Sequence, residues 1–144
     1  MKAYFAGPLF TLAEKQFNLA MKRALEARVD GLCVDLPQLF GDPSAKGEAF
    51  LESAFHHCIR SVESCDIMIA VLEGTDADSG TCIEMGYAHA LKKPIIGFRT
   101  DTRQQEDHGL NLMVARICSK LVLAPGESDP AKLADLIAAA VEEL

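Results

Sequence analysis

The sequence predicts one α/β domain, residues 1–144, built on a doubly wound, flavodoxin-like (Rossmann-like) parallel sheet. Segments typical of strands alternate with segments typical of helices, which is the pattern of a parallel sheet with right-handed crossovers. The segment 66–72 is nearly continuous in apolar residues and suits a central strand covered by helices on both faces. Because the chain contains five predicted strands and neither a repeat nor a linker, we expect the strand order 2-1-3-4-5.

The predicted strands are short apolar runs that end at turn residues. They are Lys2 to Ala6, Leu32 to Leu36, Asp66 to Leu72, Pro94 to Phe98 and Lys120 to Ala124. The residues at 38–47 and 99–109 are rich in polar and turn-forming types, so both segments are expected to be exposed loops.

The predicted helices lie between the strands. Thr11 precedes the first helix, and Glu14 completes a capping box with it. Further helices are expected at 48–63 and 110–117. Asp129-Pro130 begins a last helix, whose apolar stripe continues to the end of the chain.

The segment from Asp78 to Ala88 contains the residue that is hardest to explain as ordinary structure. Ser79 is predicted to be the N-cap of a helix that is apolar on almost every side, which predicts a buried helix. Glu84 is the exception, and it has no Lys or Arg within a turn on either side. A partly desolvated carboxylate near a helix N-terminus indicates a functional site. The alternative is that Glu84 is only a favourable charge near that N-terminus.

The composition argues against several classes of partner. Hydrophobic residues make up 49% of the chain, which excludes a disordered chain. The net charge of -7 disfavours nucleic acid and anionic membranes as partners. No apolar run approaches the ~20 residues that a membrane-spanning helix needs. The N-terminal residues predict a strand and not a signal peptide, so we expect a cytoplasmic protein.

The five cysteines are expected to be buried free thiols. Their number is odd and they form no C-x-x-C pair, which disfavours both disulfides and structural zinc. We therefore expect neither a metal nor a cofactor.

The fold predicts where a ligand would bind. Doubly wound sheets bind ligands outside the carboxyl ends of their strands, at the switch in strand order. This rule places the loops 7–11, 73–79 and 99–109 around one crevice, and the helix that carries Glu84 begins at the same place. The fold and the unusual carboxylate thus indicate one location.

Three motifs of the sequence resemble those of the nucleoside 2-deoxyribosyltransferase family. The first is Tyr4-Phe5-Ala6-Gly7-Pro8-Leu9-Phe10-Thr11. The central motif joins 66–74 to Asp78-Ser79-Gly80-Thr81-Cys82-Ile83-Glu84-Met85-Gly86-Tyr87-Ala88. The third is Gly109-Leu110-Asn111-Leu112-Met113. They follow the order of the family and span most of the chain.

The resemblance implies that the protein exchanges bases on 2'-deoxyribonucleosides, with free nucleobases as the second substrate. It implies that Glu84 is a nucleophile that forms a covalent deoxyribosyl ester, as in retaining glycosidases. By the same resemblance Tyr4 positions that carboxylate, and Asp78 binds a sugar hydroxyl.

The resemblance also implies a set of substrate-binding residues and a homo-oligomer. The set comprises Gly7, Phe10, Cys58, Ser79, Gly80, Asn111 and Met113. Phe10 either packs on the base or belongs to the core. Asn111 would complete the site of a neighbouring subunit in a dimer or in a hexamer of paired subunits. The alternative is that Leu110 and Met113, with their apolar neighbours, cover the sheet edge of a monomer.

One position departs from the family pattern. The family commonly has an aspartate near the base at the position that Cys58 occupies in this chain. A thiol is a poor substitute as an acid for a leaving base. His56 and His57 are candidates to replace the carboxyl group, so base specificity and base protonation are open.

Two other functions remain open. A 2'-deoxynucleoside 5'-monophosphate N-glycosidase would share the fold and the glutamate. However, the apolar first loop offers few donors to a phosphate, and Asp78 would repel it. A nucleoside-sensing module would retain the fold without chemistry, and the presence of both Tyr4 and Glu84 argues against that function.

Overall fold

The computed structural model describes residues 1–42, 45–103 and 109–144 and confirms the predicted fold class. The strands are β1 (Lys2–Ala6), β2 (Cys33–Asp35), β3 (Ile67–Val71), β4 (Ile95–Arg99) and β5 (Lys120–Leu123). They form a five-stranded sheet in the order β2-β1-β3-β4-β5, and every neighbouring pair is parallel. The switch in strand order therefore falls between β1 and β3, as expected for this fold.

The helices of the described residues lie on both faces of the sheet. They are α1 (Leu12–Glu26), α2 (Glu48–Ser64), α3 (Ser79–Ala90), α4 (Leu112–Arg116) and α5 (Pro130–Glu142), with a short 3-10 turn at Pro37–Leu39. The capping box of α1 is confirmed, because the Glu14 N–H donates to the Thr11 hydroxyl at 3.2 Å and the Thr11 N–H donates to the Glu14 carboxylate at 2.7 Å. Asp129 caps α5, with Pro130 at its first position.

The sheet separates two hydrophobic clusters of different character. Alternate residues of β1 point to opposite faces, so Phe5 packs toward α1 and α5 while Tyr4 packs toward α2 and α3. On the first face Phe5 and Phe98 pack with ring centroids 6.0 Å apart. The second face buries Tyr4 and Met85 among aliphatic side chains. The second face is therefore the one on which Tyr4 places a polar group within a core.

Two predictions about the loops are corrected by the structure. Arg99 was expected in an exposed loop, but it ends β4 and its side chain is only 3% exposed. Its guanidinium donates to the carbonyl oxygens of Leu72 and Gly74 at 2.6 and 2.8 Å, which explains how a charged group is buried there. Leu110 was expected to be exposed at an interface, but it is buried against the α2–α3 face. Residues 104–108 of the same predicted loop lie outside the described residues.

Two predictions about the helix that carries Glu84 are also corrected. The N-cap of α3 is Asp78 and not Ser79, because the Thr81 N–H donates to the Asp78 carboxylate at 2.9 Å. The helix is not buried on all sides either: Thr81, Met85 and Ala88 face the core, whereas Ile83 is 72% exposed. An apolar sequence thus gave the wrong burial for the outer side of α3.

The five cysteines are free, as predicted, but only Cys65 is fully buried, and Cys33 is exposed. No helix in the described part of the chain has the length and hydrophobicity that a membrane crossing requires.

Candidate active site

Tyr4 and Glu84 form a hydrogen-bonded pair on the α2–α3 face of the sheet. The Tyr4 hydroxyl donates to Oε1 of Glu84 at 2.6 Å, although the two residues are 80 positions apart in the sequence. Tyr4 is fully buried in β1, beside β3 at the centre of the sheet, while Glu84 lies in the second turn of α3 and is partly buried. The strand and the helix are both rigid elements, so the fold holds this pair in one geometry.

The surroundings raise the pKa of Glu84 above the ordinary value of a glutamate. Burial is the main cause, because it penalises the charged form, and the negative charge of Asp78 acts in the same direction. Hydrogen bonds from Tyr4 and Cys58 oppose the shift, because they stabilise the carboxylate. The structure therefore contains a desolvated carboxylate held in place by donors, which is a favourable state for a nucleophile.

Tyr4 remains a neutral hydrogen-bond donor. Burial, followed by the nearby charge of Glu84, raises the pKa of its phenol far above the ordinary value. A phenol that stays protonated can donate to Glu84 throughout the physiological pH range, so Tyr4 orients the carboxylate at every relevant pH.

Asp78 lies at the start of the same helix and has a structural role there. Its Oδ2 accepts from the Thr81 N–H at 2.9 Å and from the Thr81 hydroxyl at 3.1 Å. Ser79 and Gly80 are exposed in the first turn. A Cβ at Gly80 would lie 3.1 Å from Asp78 Oδ2, so the glycine leaves that carboxylate accessible. Asp78 also lies close enough to Glu84 for its charge to raise the pKa of that carboxyl group.

Cys58 of α2 interacts with both members of the pair. Burial raises the pKa of its thiol, and Glu84 and Asp35 add to that rise by their negative charge. The thiol therefore stays protonated near neutral pH, and its hydrogen bond to Glu84 lowers the pKa of the carboxylate. Of the predicted residues, Tyr4, Cys58, Asp78 and Glu84 are thus brought together.

The first loop approaches β3 closely at Gly7. A Cβ at this position would lie 2.5 Å from Cγ2 of Val71, so no larger residue fits without displacing the loop. Phe10 is 74% exposed, which excludes the core role that was one of its two predicted roles.

Asn111 and Met113 belong to the start of α4. The side chain of Asn111 is the N-cap and accepts from the Met113 N–H at 2.9 Å. Met113 is 70% exposed, and Leu112 beside it is 53% exposed. In the single chain these residues have a local helix-capping contact and an exposed apolar pair.

Three side chains near the pair were not predicted as site residues. Asp35 and Ser61 were missed, and His57 was only one of two candidates to replace the carboxyl group. Asp35 ends β2 and lies directly beside Tyr4 in the sheet register. Ser61 of α2 donates to Asp35 at 2.7 Å, and His57 lies 3.6 Å from the other Asp35 oxygen. The signal that was available in the sequence was a carboxylate at the carboxyl end of a strand, the end at which doubly wound sheets bind ligands.

The predicted crevice is present, but part of it lies on the other face of the sheet. A cavity of about 370 Å³ is lined by Pro8, Glu73, Gly74 and Thr100 from the three predicted loops, together with α1 residues. Glu73 accepts hydrogen bonds from the Thr100 and Asp101 N–H groups, which ties the loops after β3 and β4 together. Among the described residues, no group of three or more His, Cys, Asp or Glu side chains is placed to hold a metal ion.

Comparisons with known proteins identify the family to which this α/β domain belongs. The model of the family described as nucleoside 2-deoxyribosyltransferase matches residues 3–113, which include Tyr4, Glu84 and Asn111. The chain therefore belongs to the nucleoside 2-deoxyribosyltransferase family. No curated protein matches the sequence.

Solved structures share the whole architecture. A conserved protein from Enterococcus faecalis V583 is 25% identical, with a TM-score of 0.75 over 100% of this chain and 99% of its own. A 2-deoxyribosyltransferase from Leishmania mexicana is 24% identical, with a TM-score of 0.66 over 93% and 97% of the two chains. A CMP N-glycosidase from Clostridium botulinum is 17% identical, with a TM-score of 0.64 over 95% and 98%. Identities below 25% establish only a common fold, so the substrate of this chain has to be inferred from its own site.

Proposed function

We propose that this protein transfers the 2-deoxyribosyl group between nucleobases through a covalent ester with Glu84. The observation that carries the proposal is the partly buried Glu84 carboxylate in the second turn of α3, oriented by a 2.6 Å hydrogen bond from Tyr4. Family membership supports the same reaction class. The role we expect is base exchange in nucleotide salvage, in the cytoplasm and without a cofactor.

In the first half-reaction a Glu84 oxygen attacks the anomeric carbon of a deoxyribonucleoside. The bond from that carbon to the base breaks, its electron pair passes to the base, and the base takes a proton from a general acid of the site. In the second half-reaction a nitrogen of the incoming base attacks the same carbon, the ester bond breaks, the carboxylate returns, and the incoming base gives its N–H proton back to that group. Two inversions give overall retention, as in retaining glycosidases.

The neighbouring residues have separate roles in this proposal. Tyr4 fixes the orientation of the carboxylate, while Asp78 binds a sugar hydroxyl through the oxygen that does not cap α3. Gly7, Ser79 and Gly80 leave space for the sugar at the loop and the helix start. Phe10 is exposed at the first loop and is free to pack on the base.

A 5'-monophosphate N-glycosidase is the second candidate, because one protein of this fold cleaves CMP. Asp78 at the entrance disfavours a phosphate, since its charge would repel it. A nucleoside-sensing module without chemistry is the third candidate. Binding alone would not require a desolvated carboxylate, so Glu84 argues against this function.

Turnover of deoxyinosine with and without added adenine tests the proposal against both alternatives. We expect deoxyadenosine to form when adenine is present, and inosine to react much more slowly than deoxyinosine. The slower reaction follows because a 2'-hydroxyl destabilises an oxocarbenium-like state. Hydrolysis confined to deoxyribonucleoside 5'-monophosphates would support the N-glycosidase, and binding without turnover would support a sensor.

We also propose that the active form is a homo-oligomer in which α4 reaches the site of a neighbouring subunit. The exposed Leu112 and Met113, next to Asn111, support a surface that another copy covers. Inactive Glu84→Ala and Asn111→Ala chains, refolded together, should regain activity because one mixed site has both intact residues. An active monomer in light scattering would contradict this arrangement.

A further inference from the structure

A cavity of about 250 Å³ opens beside the Tyr4–Glu84 pair, on the side of α2. Its lining includes Cys58 and three aromatic rings, those of Phe40, Phe50 and His57. Its volume is below the roughly 300–1,000 Å³ of sites that take drug-sized ligands, and it suits a planar ring system rather than a whole nucleoside. Cys58 also touches Glu84, so whatever occupies the cavity lies next to the nucleophile.

His57 faces this cavity and is held in place by two contacts. Its ring stacks on Phe40 with centroids 4.1 Å apart and 17° between the planes. Its Nε2 lies 3.6 Å from Oδ1 of Asp35, which is an ion-pair distance and too long for a direct hydrogen bond. These contacts fix the plane of the imidazole and place a carboxylate oxygen beside its Nε2.

His56, the adjacent residue, has a different environment. Its Nε2 pairs with Glu52 one turn earlier on the solvent side of α2, at 2.9 Å, and about half of its side chain is exposed. The structure thus separates two neighbouring histidines, one that lines the cavity and one that belongs to the surface.

Asp35 links the cavity to the sheet. It pairs in register with Tyr4, so both side chains lie on the same face. Ser61 donates to Oδ2 of Asp35 at 2.7 Å, and the Lys2 ammonium lies 3.6 Å from the same oxygen. These partners orient the carboxylate so that its other oxygen faces His57.

We propose that the aromatic cavity takes the nucleobase and that His57, supported by Asp35, is the catalytic acid and base for that base. This inference rests on the proposed function and assigns the proton transfer that Cys58 cannot perform. The thiol is a weak donor with a raised pKa, whereas an imidazole can both give and receive a proton.

The step balances as follows. As the bond from the anomeric carbon to the base breaks, the electron pair passes to the base and the His57 imidazolium gives a proton to an acceptor atom of the base. The base leaves neutral, and His57 becomes neutral beside Asp35. When the second base attacks, it loses a proton to His57, and the ester bond to Glu84 breaks.

The charged groups around His57 come from several elements. Asp35 of β2 is the nearest anion, and Lys15 of α1 lines the same cavity as a cation. On α2 itself Cys58 is the adjacent ionisable group, and Glu84 of α3 lies beyond it. Asp35 thus lies next to His57, while Glu84 lies next to Cys58.

The test compares His57→Gln with the matched control His56→Gln on substrates whose bases differ in how readily they leave. Deoxyinosine, 6-chloropurine 2'-deoxyriboside and 7-methyl-2'-deoxyguanosine form such a series, because the 7-methylated base is already cationic and leaves without a proton. We expect His57→Gln to lower kcat/KM on deoxyinosine by about 100-fold or more, and to change the 7-methyl substrate little. His56→Gln should match the wild type on every substrate.

The outcomes separate the inference from the proposed function. An equal loss on all substrates, or no loss on any, would overturn the role of His57 and leave the transferase intact. A wild type that is inactive on the whole series would remove the transferase and the inference together. The activity of His57→Gln on the 7-methyl substrate is the internal control for correct folding, and Asp35→Asn should reproduce its pattern with a smaller loss.

Discussion

The two faces of the sheet are built from the same strands but differ in what they bury. The α1–α5 face buries an apolar cluster in which Phe98 packs against Phe5 and Phe17, with centroids 6.0 and 6.1 Å apart. The α2–α3 face buries Tyr4 and partly buries Glu84 among aliphatic side chains. Ala3 and Phe5 of β1 point to the first face and Tyr4 and Ala6 to the second, so a single strand contributes both to an apolar core and to a reactive pair.

The difference shows how a small domain can keep a desolvated carboxylate. Burial of Glu84 costs free energy, because its charged form loses hydration. The apolar cluster on the α1–α5 face has no such desolvation cost. It contributes hydrophobic stabilisation of roughly 25 cal/mol for each Å² of apolar surface buried. We infer that stability resides mainly on one face and reactivity on the other, which substitutions on the two faces can test.

The largest expected effect on activity comes from Glu84→Gln. The variant keeps the shape and an acceptor for the Tyr4 hydroxyl but lacks a nucleophile, so activity should fall by about 10³-fold or more. The pKa of Glu84 is raised in the folded state, so its ionisation lowers stability as pH rises through that pKa. Circular dichroism at neutral pH should therefore show a Tm equal to or above that of the wild type. A clearly lower Tm would mean that Glu84 stabilises the fold.

The opposite pattern is expected from Phe98→Ala on the apolar face. Phe98 is fully buried, and removing its ring should cost about 3–5 kcal/mol of unfolding free energy by leaving a cavity. Urea denaturation measures this loss. The fraction that remains folded should keep the kcat of the wild type, since the ring does not contact the site. A large fall in kcat at low temperature would show that the two faces are not independent.

Smaller and opposite effects are expected on the pH profile from Tyr4→Phe and Asp78→Asn. Glu84 must be ionised to attack, so kcat/KM should fall as pH falls through its pKa. Tyr4 lowers that pKa and Asp78 raises it, so Tyr4→Phe should move the acid limb to higher pH and Asp78→Asn to lower pH. Asp76→Asn, on the exposed neighbouring carboxylate, is the control. Shifts in the same direction for both variants would contradict the assigned causes.

Local signals in the sequence predicted most of the fold. The apolar runs located all five strands within one or two residues, and the capping residues Thr11 and Asp129 located two helix starts. The burial of α3 was wrong because periodicity cannot tell an apolar side that meets a core from one that is exposed, as at Ile83. Asp78 replaced Ser79 as the cap because both residue types can cap, and only the backbone decides between them.

The site could be predicted only in part, because its contacts are not local. Glu84 was identified as an anomaly within its own helix, but its hydrogen bond to Tyr4 joins residues 80 positions apart. The partnership of Asp35 with His57 depends on the register of β2 beside β1 and on the packing of α2. The spacing of residues in the sequence indicates neither this register nor this packing. His56 and His57 are adjacent, and only the side of α2 on which each lies distinguishes them.

The most direct test of the central claim is to trap the covalent intermediate. A 2'-deoxy-2'-fluoroarabinosyl nucleoside should slow both half-reactions, since the fluorine destabilises an oxocarbenium-like state, and the ester should accumulate. Mass spectrometry of the digested protein should find the added fluorosugar on the peptide that contains Glu84, and none in Glu84→Gln. The same mass on a different peptide, or an unlabelled protein that still turns over deoxyinosine by direct displacement, would contradict the account.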